Sequence, residues 1–247
     1  MLAGWELALG LAAMFLGSVV LGTISFGLGT VAMPFLLIVL LPQDAVVIVN
    51  AMIILTTGLT VAQTWRHLKP GETWPFIVAG LPPVPVAVFA LHEFNPTALR
   101  VTIALVVLTV GLMSLFNVRI PAARKAWMAP LVGSGTTFMV TTFAVGAPLA
   151  ALYAIEQDWS RDTIRATLAL YFLLAAILAM ILFAVSGLIN EGVVQNTGAL
   201  AVSVLAGSGV AALVARRISL SVFRYVVVSV TVIGSISLLL RELLRVW

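Results

Sequence analysis

The sequence predicts an all-α polytopic membrane protein made of two inverted repeats, each a broken, re-entrant helix pair followed by three transmembrane helices. The first observation is composition, because 62% of the 247 residues are hydrophobic and 9% are charged, whereas soluble domains carry about 25% charged residues. The second is the length of the charge-free stretches 7–43, 126–155 and 166–190, each longer than the roughly 20 residues of a membrane-crossing helix. The third is a pair of similar interruptions, one in each half of the chain.

Charge gaps and turn residues divide the chain into eight apolar segments. These are 5–41, 45–65, 73–91, 98–116, 127–155, 165–189, 192–214 and 221–240. Six have the length of one transmembrane helix, whereas 5–41 and 127–155 are too long for one helix and carry Gly and Pro near the middle. Both residue types weaken helix interiors, and proline also removes a backbone donor. We therefore predict helix breaks at 22–30 and at 141–148.

The two interruptions also indicate an internal repeat. Residues 26–29 (Phe-Gly-Leu-Gly) match residues 143–146 (Phe-Ala-Val-Gly) at an offset of 117 positions. At the same offset Asn50 matches Thr167, inside the helix that follows each break. These matches occur in the same order in both halves, which favours a duplication.

The first membrane repeat is predicted to span 1–118 and the second 119–247, with a basic linker at 119–125. If each broken segment enters and leaves on one side, each half crosses three times and the halves are inverted, as in many secondary transporters. Ten of the 13 Lys and Arg residues then share one face. These ten are Arg66, Lys69, Arg119, Arg124, Lys125, Arg161, Arg165, Arg216, Arg217 and Arg224. Basic residues concentrate on the cytoplasmic side, which places both termini outside. If both broken segments cross fully, the basic loops divide between the two faces instead.

The sequence offers little support for catalysis. It has no cysteine, which excludes disulfides and thiol chemistry, and it has no metal-binding His pair, nucleophile elbow or phosphate-binding loop. We predict no catalytic residue, no metal and no cofactor. The net charge of +4 is explained by basic residues that flank membrane helices, so the expected partners are a lipid bilayer and a small solute, not nucleic acid. A homo-oligomer is left open.

The two breaks are the candidate substrate site. Irregular backbone is tolerated at membrane depth only where it is buried in protein or lines a cavity. A half-helix that starts there presents free N–H groups and a positive dipole end, which suits an anion. The predicted substrate-binding residues are Ser25, Gly27, Gly29, Thr30, Asn50, Thr57, Thr142, Gly146, Thr167 and Tyr171. The alternatives are a kinked helix at each break, and threonines that bond their own backbone or hold helices together.

Residues 26–34, which end in Pro34, and residues 41–46 (Leu-Pro-Gln-Asp-Ala-Val), which open the next helix, form a recognisable pair of motifs. They resemble the first-half signature of the sulfite exporter TauE/SafE family, and residues 143–148 resemble its second copy. The resemblance covers essentially the whole chain, including the Arg-led last helix of each half. Two departures are Gly29-Thr30 in place of the family's Gly-Gly, and a second copy that keeps only Gly146. The resemblance implies transport of sulfite, sulfonates and related sulfur-containing organic anions.

The leading hypothesis is therefore a secondary transporter, an exporter of a small anion such as sulfite or an organosulfonate, that works by alternating access in the cell inner membrane. One alternative is a transporter or channel for another small solute, such as a carboxylate. Another is a membrane scaffold or enzyme subunit that transports nothing.

Overall fold

The computed structural model describes residues 1–24, 27–115, 125, 127–157, 159–214 and 220–245. Within these ranges every regular element is a helix. The α-helices are α1 (Gly4–Ile24), α2 (Leu28–Val39), α3 (Pro42–Thr64), α4 (Pro70–Gly80), α5 (Pro83–Glu93), α6 (Pro96–Leu115), α7 (Met128–Phe143), α8 (Ala147–Glu156), α9 (Arg161–Val185), α10 (Glu191–Val214) and α11 (Leu220–Arg245). Six stretches of the described chain are long and apolar enough to cross a membrane. The predicted class, a helical multi-pass membrane protein, is confirmed.

Both predicted helix breaks are present, and a third break was not predicted. The first separates α1 from α2 and the second separates α7 from α8. Segment 73–91 was predicted to be one helix, but it consists of α4 and α5, which are separated at Leu81 and Pro82. Pro82 and Pro83 have no N–H to donate and their rings clash with the preceding turn, so the helix ends there. Segment 73–91 has the length of one transmembrane helix, so its prolines were not interpreted as a break, unlike the Gly and Pro residues of the two longer segments.

Each broken segment folds back on itself as a helical hairpin. A Cβ atom built on Gly17 of α1 would lie 2.8 Å from the carbonyl oxygen of Leu28, at the start of α2, and one built on Gly10 would lie 3.9 Å from Leu36. The two helices therefore run antiparallel. In the second half, α8 returns along α7 in the same way, since Gly135 lies opposite Leu149.

The first helix of each hairpin packs in parallel against a helix of the other half. Along α1 and α10 residue numbers rise together, from the hydrogen bond that Leu2 N donates to Asn196 Oδ1 at 2.8 Å to the contact between Gly22 and Ala211. This packing is close, because a side chain on Gly207 would overlap Ser18. Small residues allow such close approach between membrane helices.

The hairpin of the second half makes the matching contacts with α4 and α5. Ser134 Oγ donates to the Ala79 carbonyl at 2.9 Å, and Thr142 Oγ1 donates to the Ala87 carbonyl at 3.1 Å, so α7 runs parallel to both helices. Among the remaining long helices, α3 packs against α9 and α6 packs against α11. This arrangement brings α2, α3, α7, α8 and α9 together around the two breaks.

Candidate functional site

The first break turns at Gly27, the residue before α2. Gly27 has φ 105° and ψ 6°, in the left-handed region that glycine adopts without a steric cost. It offers no side chain to cap the helix, and its carbonyl accepts the Val31 N–H at 3.1 Å. The first turn of a helix leaves N–H groups without intrahelical acceptors. The start of α2 therefore presents backbone donors to its surroundings.

The second break turns at Ala144, which has φ 56° and ψ 16°. It is the one non-glycine residue with positive φ in the described part of the chain. At the offset of 117 Ala144 is the counterpart of Gly27, so both breaks place a left-handed residue at matching positions. Gly146, with φ 151°, then precedes α8. This helix starts with fewer free donors than α2, because Pro148 has no N–H and the Leu149 N–H bonds the Gly146 carbonyl at 2.9 Å.

The two breaks meet. A Cβ atom built on Gly29 would overlap the carbonyl oxygen of Ala144 and would lie 3.4 Å from Val49 Cγ1 of α3. The backbone of α2 therefore touches the backbone of the second break with no side chain between them. Only glycine is small enough at position 29 for this contact.

A cavity of about 20 Å³ lies at this meeting point. Its wall comes from both breaks and from the helices that follow them, and it includes Gly27, Gly29, Thr30, Ile53, Thr57, Val140, Ala144 and Phe172. The lining side chains are uncharged and mostly apolar. A volume of this size holds about one water molecule. In this conformation the space between the breaks is therefore nearly closed.

Two hydroxyl groups belong to the cavity wall. Thr30, in the first turn of α2, is 8% exposed, and its Oγ1 has no hydrogen-bond partner among the described residues. Thr57 Oγ1 donates to the Ile53 carbonyl of its own helix, as threonines in membrane helices often do, and it keeps lone pairs that can accept. Thr30 is thus the side chain that is best placed to bond a solute at the first break.

Asn50 lies behind the cavity wall and is fully buried. Its Nδ2 donates to the Val46 carbonyl at 2.9 Å and to the Val140 carbonyl of α7 at 3.5 Å. These two acceptors fix the orientation of the amide, so Oδ1 is the free atom, and it has no partner among the described residues. Asn50 shares a helix face with the cavity residues Ile53 and Thr57, at i, i+3 and i+7. It therefore connects the two halves and offers an acceptor beside the cavity.

The other predicted residues of the second half lie away from this cavity. Thr142 bonds the Ala87 carbonyl, and Thr167 is fully buried with its hydroxyl unpartnered within the described chain. Tyr171 donates to the Gly133 carbonyl at 2.6 Å, so Thr137, at 2.5 Å from the same oxygen, must donate to it. Both hydrogen bonds of Tyr171 are made to α7, and its ring lies 4.5 Å from that of Phe76. Tyr171 therefore stabilises the packing of the core.

The structure thus groups Gly27, Gly29, Thr30 and Thr57 at one cavity, with Gly146 in the adjoining turn and Asn50 behind the wall. Ser25 lies outside the described residues. Sequence reasoning did not single out Val140, Ala144 or Phe172 as cavity residues. Ala144 could have been found as the counterpart of Gly27. The two apolar residues carry no such signal, since they look like any lipid-facing side chain.

Two arginines hold the opposite end of α2. Arg100 of α6 donates from Nη2 to the Leu40 carbonyl at 3.2 Å, and its Nη1 lies 3.3 Å from Glu242 Oε1 of α11. Arg241 donates from Nη1 to the Ile38 carbonyl at 2.8 Å. The last carbonyls of a helix lack intrahelical donors and carry its negative dipole end. Both arginines therefore satisfy α2 at its C-terminus, while its N-terminus lies at the cavity.

Comparison with known proteins gives one match. The sequence model of a family described as Sulfite exporter TauE/SafE matches residues 9–238. No curated protein and no solved structure is significantly similar to the chain.

Proposed function

Because the chain belongs to the sulfite exporter TauE/SafE family, we propose that it is a secondary transporter that exports sulfite or an organosulfonate by alternating access. Family membership gives the general class, a membrane transporter of a sulfite-like anion. The finer proposal rests mainly on one observation, the contact of Gly29 with the Ala144 carbonyl at a shared cavity.

An anion is the solute that this arrangement suits. Both α2 and α8 begin at the cavity, through Leu28 and Ala147. Each helix start carries about half a positive charge and backbone N–H donors. Thr30 adds a hydroxyl that can donate to an oxyanion. Among the described residues no carboxylate lines the cavity, so no charged side chain there repels a small anion.

The small size of the cavity supports a mechanism in which the site opens and closes. Sulfite has four non-hydrogen atoms, and a cavity of about 20 Å³ has room for about one water molecule. The solute therefore enters only when the two breaks move apart. We propose that the halves separate first toward one side of the membrane and then toward the other, and that the present conformation lies between these states.

The packing supports the proposed repeats, 1–118 and 119–247. Under a two-fold relation α3 pairs with its counterpart α9, and α6 pairs with α11. Under the same relation α1 corresponds to α7, and α10 corresponds to α4 and α5 together. The contact between α1 and α10 then corresponds to the contact of α7 with α4 and α5. The hairpin shape of both broken segments supports three crossings of the cell inner membrane per half, with both termini on the side away from the cytoplasm.

Flux measurements test the proposal. The protein is purified and reconstituted alone into liposomes, and uptake of labelled sulfite is measured against protein-free liposomes, with unlabelled sulfite, methanesulfonate or acetate as competitor. We expect uptake that sulfite and methanesulfonate inhibit more strongly than acetate does. Uptake that acetate inhibits best would favour a carboxylate, and no uptake of any anion by folded protein would contradict the proposed transport.

A further inference from the structure

We infer that the cavity at the two breaks accepts an anion with a single negative charge, so that sulfite is carried in its singly protonated form. The inference rests on the proposed function, because it names the charge state of the solute at the same site. Sulfite exists in water as a dianion and as a singly protonated monoanion. The two forms differ both in charge and in the presence of a hydrogen-bond donor.

The neutral wall is the first argument. Every described side chain that lines the cavity is uncharged, and Leu21, Ile53, Val140 and Phe172 are apolar. Moving an ion from water into apolar surroundings is costly. Because that cost rises with the square of the charge, a dianion loses about four times as much hydration free energy as a monoanion of similar size.

The positive charge available at the cavity is the second argument. The starts of α2 and α8 each carry about half an elementary charge, so together they supply about one. The C-terminal end of α7, next to Ala144, has the opposite sign and reduces this sum. The backbone can therefore neutralise one negative charge at most, and among the described residues no lysine or arginine lines the cavity to neutralise a second.

The orientation of Asn50 is the third argument. Its Nδ2 is committed to the carbonyls of Val46 and Val140, and turning the amide over would press Oδ1 against both of them. Oδ1 therefore remains an acceptor that is fully buried and unpartnered within the described residues, on the helix face that also carries the cavity residues Ile53 and Thr57. An acceptor repels the oxygens of an unprotonated oxyanion but bonds an O–H group. If the solute reaches this oxygen when the two breaks move apart, the protonated form is the one that it favours.

None of the described residues that line the cavity carries a titrating side chain. The helices around it, α1, α2, α3, α7, α8 and α9, carry ionisable side chains, and none of these lines the cavity. They are Glu6, Asp44, Tyr153, Glu156, Arg161, Asp162, Arg165 and Tyr171. A pH dependence of sulfite transport would then report the protonation of the solute.

The test compares two anions in liposomes that hold the full-length protein. Sulfite changes charge near neutral pH, whereas methanesulfonate stays singly charged. Above the second pKa of sulfite, we expect sulfite flux at fixed total concentration to fall about tenfold per pH unit, as the monoanion does, while methanesulfonate flux stays constant. Sulfite flux that stays level or rises would overturn the inference and leave the proposed function standing. A parallel fall of both fluxes would also overturn it, because a protein group would then titrate. Absence of both fluxes would contradict the proposed function itself.

Asn50→Leu tests the acceptor, with Thr56→Val on the same helix as a control, since the Thr56 hydroxyl donates to the Met52 and Ile53 carbonyls of its own helix. We expect Asn50→Leu to lower sulfite flux about tenfold relative to methanesulfonate flux, the effect of one lost hydrogen bond in a buried site. Thr56→Val should leave the ratio of the two fluxes unchanged. If Asn50→Leu does not insert, Asn50→Ala is measured in the same way. An unaltered ratio in the Asn50 variant would overturn the role assigned to this side chain.

Discussion

Gly29 of α2 lies directly against the carbonyl group of Ala144, with no room for a side chain between them. The two residues come from different halves of the chain. Their contact forms part of the wall of the cavity, so any widening of that cavity between the breaks has to separate them. The contact between the two backbones at this point therefore restricts both the size of residue 29 and the opening of the cavity.

The first prediction follows from this contact. Gly29→Ala should abolish anion flux and lower stability by about 1–3 kcal/mol or more, because an extra carbon in a packed interior displaces its neighbours. Gly58→Ala on α3 is the matched control, since its Cβ would lie 4.0 Å from the nearest atom, Leu173 Cδ1. Flux in liposomes and thermal unfolding in detergent measure both effects. Normal flux in Gly29→Ala would mean that the contact is not needed.

The second prediction concerns the left-handed backbone of Ala144. Ala144→Gly should change stability by less than about 1 kcal/mol, because relief of the left-handed strain offsets the extra backbone freedom of glycine. Ala144→Val should lower it by about 1–3 kcal/mol, since β-branched residues are strongly disfavoured at positive φ. Thermal unfolding of the two variants gives the comparison. Equal stability of Gly and Val variants would contradict the turn geometry.

Sequence reasoning located the breaks but not the surroundings of each side chain. Glycine and proline mark 22–30 and 141–148 because their effect on a helix is local. The role of Tyr171 depends instead on Gly133 and Thr137, which come from another helix, so the sequence of α9 alone could not reveal it. The cavity residues Val140 and Phe172 were missed for a related reason, because in a membrane protein apolar side chains face both lipid and interior.

A third prediction separates the two readings of Tyr171. Tyr171→Phe should lower stability by about 1–3 kcal/mol, because it leaves the buried Gly133 carbonyl and Thr137 hydroxyl without their bonds to Tyr171. The affinity for the anion should hardly change, since the hydroxyl is already used. Thermal unfolding and the KM of sulfite flux distinguish these effects. A large rise in KM with unchanged stability would instead indicate that Tyr171 binds the substrate, as predicted from the sequence.

The fourth prediction concerns the arginines at the C-terminal end of α2. Arg241→Gln should destabilise the protein by about 1.5–3 kcal/mol, the range for a hydrogen bond made by a charged group in a largely buried place. Arg161→Gln, at the exposed start of α9, should change stability by less than about 0.5 kcal/mol. Thermal unfolding measures both. Similar effects of the two substitutions would show that the contact with the Ile38 carbonyl contributes little.

The fifth prediction concerns membrane orientation. A reporter that is active only outside the cytoplasm should be active when it is fused after Trp247 and silent when it is inserted within 119–125. Ten of the thirteen basic residues then lie on the cytoplasmic face, and the parallel course of α1 with α10 agrees with this arrangement. Activity of the reporter at 119–125 would rule out the proposed inverted topology.

The pairing of α1 with α10 also has a consequence for biosynthesis. The chain is made from its N-terminus, so α1 enters the membrane long before Glu191, where α10 begins, has been synthesised. Until then Gly10, Ser18 and Gly22, which fit closely against α10, face lipid or a temporary partner. Helix α1 therefore completes its packing only after α10 has been made. A truncation before residue 191 should leave α1 accessible to cross-linking by the insertion machinery, and synthesis through α10 should release it.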